Sequence, residues 1–134
     1  MSYDLMVFDP DRAPRKPAAF VTWYTRQTQW DEAHGYDDPK VCTPALRGWF
    51  EEMIQSFPAL NGPFAREEEL DNPKTTDYCV GRTVIYAGFG WSQAEAAYRQ
   101  VLSAAQKHGV GFYDLSSADG AVWLPDSGGG AEVV

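Results

Sequence analysis

Thr83-Val84-Ile85-Tyr86-Ala87, then Ser92-Gln93-Ala94-Glu95, then Gly109 followed by Gly111-Phe112-Tyr113-Asp114-Leu115: this succession decides the fold. The first run is built of β-branched and aromatic strand formers and ends at Trp91. Ser92 and Glu95 have the spacing of a capping box, in which each side chain satisfies a free backbone donor of the first helical turn. Behind them, Ala94, Ala97, Tyr98, Val101, Leu102 and Ala105 recur at the i, i+3, i+4, i+7 spacing of one buried helical face. Gly109 suits the helix stop, and Lys107 and His108 place positive groups at the negative end of the helix dipole. Residues 111–115 read as a second strand. Ser117-Ala118-Asp119-Gly120 reads as a tight turn, and Ala121-Val122-Trp123-Leu124 as a returning strand.

Upstream, Tyr3 to Phe8 is a short apolar strand broken by Asp9-Pro10-Asp11. Phe20, Trp23, Tyr24, Gln27 and Trp30 share one face of a helix predicted over 18–30, with Pro14 and Pro17 near its start. Thr43 and Pro44 have the residue types of a helix cap and first position. Leu46, Trp49, Phe50, Met53, Ile54 and Phe57 then form the clearest amphipathic stripe in the chain, and Pro58 ends it. Between the turns Asn61-Gly62-Pro63 and Asp71-Asn72-Pro73, residues 64–70 are expected as a short edge strand, although Glu67-Glu68-Glu69 is a poor strand former. The order predicts an α+β fold of ferredoxin-like β-α-β-β-α-β pattern with one extra helix. The expected architecture is an antiparallel sheet with about three helices packed on one face and a C-terminal hairpin. Residues 1–125 are expected to form a single domain, and 126–134, with three consecutive glycines, a flexible tail.

A chain of 134 residues buries roughly 68% of the surface its unfolded form exposes, and five Trp, seven Tyr and seven Phe can fill the core. Eleven basic against nineteen acidic residues leave a net charge of −8, which argues against a nucleic-acid partner. Cys42 and Cys79 show no metal or redox spacing and read as reduced core residues. No basic start is followed by an apolar run, and no stretch is long enough to span a bilayer, so the cytoplasm is the expected compartment and no membrane partner is expected.

No constellation carries catalytic chemistry clearly. Asp31, Glu32, His34, Asp37 and Asp38 supply metal-type donors but lack the alternate-position ligands and central glycine of a calcium loop. Glu67, Glu68, Glu69, Asp71 and Asp77 supply carboxylates, but an acid–base pair needs burial or a neighbour to push two pKa values apart, and three consecutive glutamates cannot all face one pocket. His34 and His108, the two histidines, adjoin no nucleophile motif. Gly88-Phe89-Gly90-Trp91 lacks the third glycine and the lysine of phosphate loops. The expectation is a protein that is not an enzyme and holds neither cofactor nor metal.

The charge layout says more. Residues 27–41 carry −3, residues 59–77 another −3, and residues 114–134 four acids and no base. These segments together exceed the charge of the whole chain, so the predicted helices and strands are close to neutral. Acidic loops on a neutral scaffold suit a protein that meets a basic surface, where charge sets encounter rate and orientation. The plainer reading is that loops are where charges are tolerated. The candidate contact residues are Asp31, Glu32, Tyr36, Asp37, Asp38, Glu67, Glu68, Glu69 and Asp71.

Ser2-Tyr3-Asp4-Leu5-Met6-Val7-Phe8, Trp91-Ser92-Gln93-Ala94-Glu95-Ala96 and Lys107-His108-Gly109-Val110-Gly111-Phe112-Tyr113-Asp114 resemble stretches of a group of small bacterial proteins. Some of that group are similar to the immunity proteins of contact-dependent growth inhibition and related polymorphic toxin systems. The resemblance spans nearly the whole chain before the tail and rests on scaffold-like stretches. It implies a cytoplasmic protein that binds and blocks a cognate toxin domain, often a basic nuclease, and it carries over no contact residue. Two other readings stand beside it. One is a small enzyme or ligand-binding protein with a pocket between sheet and helices. The other is a homodimer through an open sheet face, where Tyr78, Val80, Val84 and Tyr86 are expected to share one side with Arg82.

Overall fold

The computed structural model describes residues 3–14, 17–29, 32, 35–36, 38–69, 71–114, 122–124 and 131–132. Its strands are β1 (Tyr3–Phe8), β2 (Asp77–Val80), β3 (Val84–Phe89), β4 (Gly111–Tyr113), β5 (Val122–Leu124) and β6 (Ala131–Glu132). Its α-helices are α1 (Pro17–Gln27), α2 (Pro44–Ser56) and α3 (Ala94–His108). The sheet order is β2-β3-β1-β4-β5-β6, and every pairing is antiparallel. Strands β1 to β4 thus have the ferredoxin-like arrangement, with β5 extending the sheet as the return arm after β4. Residues 115–121, which include the turn expected at 117–120, lie outside the described residues.

The register explains the layers. In β1, Leu5 and Val7 face one side and Met6 and Phe8 the other, and all four are buried. Leu5 pairs with Ala87 and Val7 with Ile85, building the side covered by α2 and α3. Trp49, Phe50 and Met53 of α2 and Ala97, Val101, Ala104 and Ala105 of α3 close that core. The indole N–H of Trp49 donates to the Val101 carbonyl at 3.2 Å, so the largest core side chain also satisfies its polar group. On the other side, Phe8 packs edge-on or tilted against Phe20 (5.1 Å) and Trp23 (5.9 Å) of α1. The expectation of three helices on one face is therefore corrected: α2 and α3 share a face and α1 covers the opposite one. A strand that is apolar on both sides needs cover on both.

Three local expectations also change. Residues 77–89 are a hairpin folded at Gly81-Arg82-Thr83, closed by the Gly81 N–H to the Val84 carbonyl at 2.8 Å. Tyr78 and Val80 consequently face the α2 core, while Val84 packs on the α1 side and Tyr86 bonds Asp4 there. The single side on which the homodimer reading placed them does not exist. The capping box does not form: Trp91–Gln93 makes a 3-10 turn, no side chain caps α3, and Glu95 pairs with Arg99 instead. Residues 64–70 give no strand among the described residues; Glu67–Glu69 is a 3-10 turn, held by Thr75 Oγ1 donating to the Glu69 carbonyl and Asn72 Nδ2 donating to the Glu69 carboxylate at 2.8 Å. Ala131 and Glu132 form β6 and pair with Leu124 and Trp123. Gly109 ends α3 as expected, in the left-handed conformation at φ 70°.

Two glycines make a test of the packing. Gly111 lies directly opposite Phe8, and a Cβ there would stand 2.3 Å from the buried ring. Gly48 would place a Cβ 2.8 Å from Nδ1 of His108, a partly exposed side chain that can shift at the cost of its bond to Glu52. Gly111→Ala is expected to cost about 1–3 kcal/mol in chemical denaturation through overpacking. Gly48→Ala is expected to be close to neutral, because the gain in helix propensity of about 1 kcal/mol offsets the lost contact. Equal effects of the two would contradict this packing.

Candidate functional site

The two acidic loops meet the same edge of the sheet. Along β2, the Val80 N–H donates to the Tyr36 carbonyl at 2.8 Å. Just before β2, the Thr76 N–H donates to the Pro58 carbonyl at 2.7 Å and the Leu60 N–H to the Thr76 carbonyl at 2.9 Å. The segment 58–63 is thereby fixed alongside the strand, with a cleft on either side of it. One, of about 420 Å³, is lined by Tyr36, Asn61, Gly62, Asp77, Tyr78 and Cys79. The other, of about 710 Å³, lies between α2 and the residues after Pro58 and is lined by Glu51, Ile54, Gln55, Pro58, Pro63, Phe64, Ala65, Arg66 and Glu69.

The candidate contact residues fall into three groups. Asp31 and Asp37 lie outside the described residues, as do His34 and Trp30. Glu32, Tyr36 and Asp38 hold their own loop. The Glu32 carboxylate accepts from the Arg82 N–H at 3.1 Å and so fastens the loop to the β2–β3 turn. Tyr36 Oη accepts from the Glu32 N–H at 2.5 Å and donates to the Glu32 carbonyl at 3.2 Å. Asp38 accepts from the Lys40 N–H at 3.0 Å and caps the 3-10 turn Pro39–Val41. Of the third group, Glu69 is oriented by Asn72, while Glu67, Glu68 and Asp71 are exposed and their carboxylates have no hydrogen bond or ion pair among the described residues.

Sequence reasoning passed over Glu51, Ile54 and Phe64. Glu51 flanks the buried stripe of α2, and Ile54 is only half-buried at its edge. Phe64 is 43% exposed although its ring packs on the core residue Phe50 at 5.8 Å. The available signal was an aromatic residue set directly after Asn61-Gly62-Pro63, where a large apolar side chain cannot continue a helix or strand stripe. Leu60, 41% exposed on the same segment, is a second such residue.

The remaining chemistry is structural. Burial pushes the Cys42 thiol up to about 11, and burial with nearby Asp77 does the same to Cys79, so neither is a thiolate at neutral pH. Among the described residues no group of three or more His, Cys, Asp and Glu side chains is arranged to hold a metal, and no helix is long and apolar enough to cross a membrane. The space between the sheet and α2 and α3 is filled by Leu46, Trp49, Met53 and Val101, so the clefts lie at the surface and not in that layer. His108 joins α3 to α2 through Glu52, at 3.0 Å, where Lys107 also binds at 3.0 Å.

Hydrogen bonds from Lys107 and then His108 hold the Glu52 carboxyl below its usual range. A carboxylate with a depressed folded-state pKa contributes stability above its unfolded value of about 4.5, lost as pH falls through the lower folded value. Solvent screens these side chains, so the contribution is about 0.2–1 kcal/mol. Glu52→Gln is expected to lower stability at neutral pH by that amount and to converge with the parent in acid; a constant difference at all pH values would show that the pair adds nothing electrostatic. Comparison of the chain with protein-family models, curated proteins and solved structures finds no match in any of the three.

Proposed function

We propose that this protein is an immunity protein that binds a basic toxin domain in the cytoplasm and blocks its active site. The observation that carries the reading is the triad Glu67, Glu68 and Asp71: exposed carboxylates without partners among the described residues, on a turn pinned by Asn72 and Thr75. The backbone that bears these charges is already fixed before any encounter, so pairing them with lysines and arginines costs side-chain rotamer freedom but little backbone entropy. The net charge of −8 extends the same preference over long range. A toxin that acts on RNA or DNA phosphates must present cations at its active site, and a rigid acidic turn occupies them in place of the polyanion. Glu32, Tyr36 and Asp38 support the neighbouring loop and contribute shape more than charge.

The test is binding to the product of the gene immediately upstream, by pull-down and then by kinetics, at low and high salt. The expected result is a complex that weakens with salt. In Glu67→Lys/Glu68→Lys/Asp71→Lys, association should slow by about tenfold or more, with a smaller change in dissociation. Binding that ignores both salt and the triple reversal would sink the reading.

A further inference from the structure

We propose that the 710 Å³ cleft between α2 and the 58–69 segment is an anchor pocket for a segment of a partner protein that carries a cationic side chain next to an apolar one. This rests on the reading of a basic protein partner and adds where, and by what chemistry, that partner is gripped. The cleft has two surfaces of different character. Part of its lining is apolar: Ile54 from α2, with Pro58, Pro63 and Phe64 from the facing segment. Phe64 remains 43% exposed in the free protein, yet its ring is held edge-on against Phe50. An aromatic side chain kept rigid and left open is what an interface centre requires, since little rotamer freedom is lost on contact.

Charged side chains line the same cleft. Glu51 stands on the α2 side and Glu69 on the other, the latter with its carboxylate oriented by Asn72 Nδ2 at 2.8 Å. Arg66 is the one cation among the described lining residues, and Glu67 beside it and Glu68 follow on the same turn. Carboxylates therefore outnumber guanidinium at the cleft, which selects a cation and disfavours an anion there. The volume lies within the range of 300–1,000 Å³ over which proteins bury small molecules, enough for a few inserted side chains. An aliphatic stem or aromatic ring against Ile54 and Phe64, with its cation near Glu51 and Glu69, satisfies both kinds of lining together.

The chain offers its own reporter. It has two isoleucines, Ile54 in the cleft and Ile85 fully buried in the sheet, so a methyl-resolved NMR spectrum contains a site signal and an internal control. Phenylguanidinium serves as the aromatic cation, and benzoate as its anionic counterpart. The expected result is a saturable shift of Ile54 with phenylguanidinium, none at Ile85, and none at either with benzoate. In Glu51→Gln/Glu69→Gln, apparent affinity for phenylguanidinium should fall about tenfold. No saturable shift, or an equal response to benzoate, overturns the pocket. The second arm uses the upstream-encoded domain: Phe64→Ala and Glu51→Gln/Glu69→Gln should each weaken the complex at least tenfold. A tight complex that ignores both variants removes the pocket and leaves the inhibitor reading standing. Binding of phenylguanidinium with no complex does the reverse.

Discussion

Everything in this molecule depends on β1 being buried on both faces. Leu5, Met6, Val7 and Phe8 are four consecutive apolar residues with at most 1% exposure, and a strand of that kind cannot sit on a half-open sheet. Burying each such side chain is worth about 1.5–3 kcal/mol, so the strand rewards cover on either side. α2 and α3 supply it on one face and α1 on the other. β3 and β4 flank β1 because both are apolar toward the two cores. Gly111 completes the arrangement by giving the ring of Phe8 room across the β1–β4 pair.

Placing β1 in the centre leaves β2 at the edge of the sheet, and the acidic loops gather there. A bare edge strand would offer unpaired backbone groups to other chains. Here Tyr36 and the 58–60 segment take up part of that edge, and the loops that bear them are held against it. The sheet edge thus becomes a rigid platform from which the Glu67–Glu69 turn and Phe64 project. The tightly packed interior carries the stability, and the exposed carboxylates of Glu67, Glu68 and Asp71 contribute little to it. Charge changes on this rim leave the core contacts untouched.

Within the acidic loops, composition and role diverge. Four carboxylates near Tyr36 look equivalent in sequence to those after Arg66. In the folded chain Glu32 and Asp38 accept backbone N–H groups and act as braces, whereas Glu67, Glu68 and Asp71 face solvent. A carboxylate beside a tight turn is as apt to cap the turn as to meet a partner, and only the spatial neighbour decides which.

The sequence by itself determined the long elements and the fold class. The stripes of α2 and α3, the stop at Gly109 and the apolar run of β1 are local patterns, set by helical or strand periodicity within a few residues. It also determined that most of the net negative charge would lie outside those elements. Three things were decided only by the tertiary structure: the side of the sheet taken by α1, the hairpin at Gly81-Arg82-Thr83, and the conversion of residues 67–69 from an expected strand to a 3-10 turn. The side of α1 depends on partners far apart in the chain and the 67–69 turn on side-chain bonds that compete with backbone pairing, while the hairpin, closed locally by Gly81 and Val84, is tied to the distant Glu32 carboxylate through the Arg82 N–H. The cleft of Glu51, Phe64 and Glu69 belongs with these, because its two walls come from segments that become neighbours only when α2 packs and Thr75 turns the chain back toward β2.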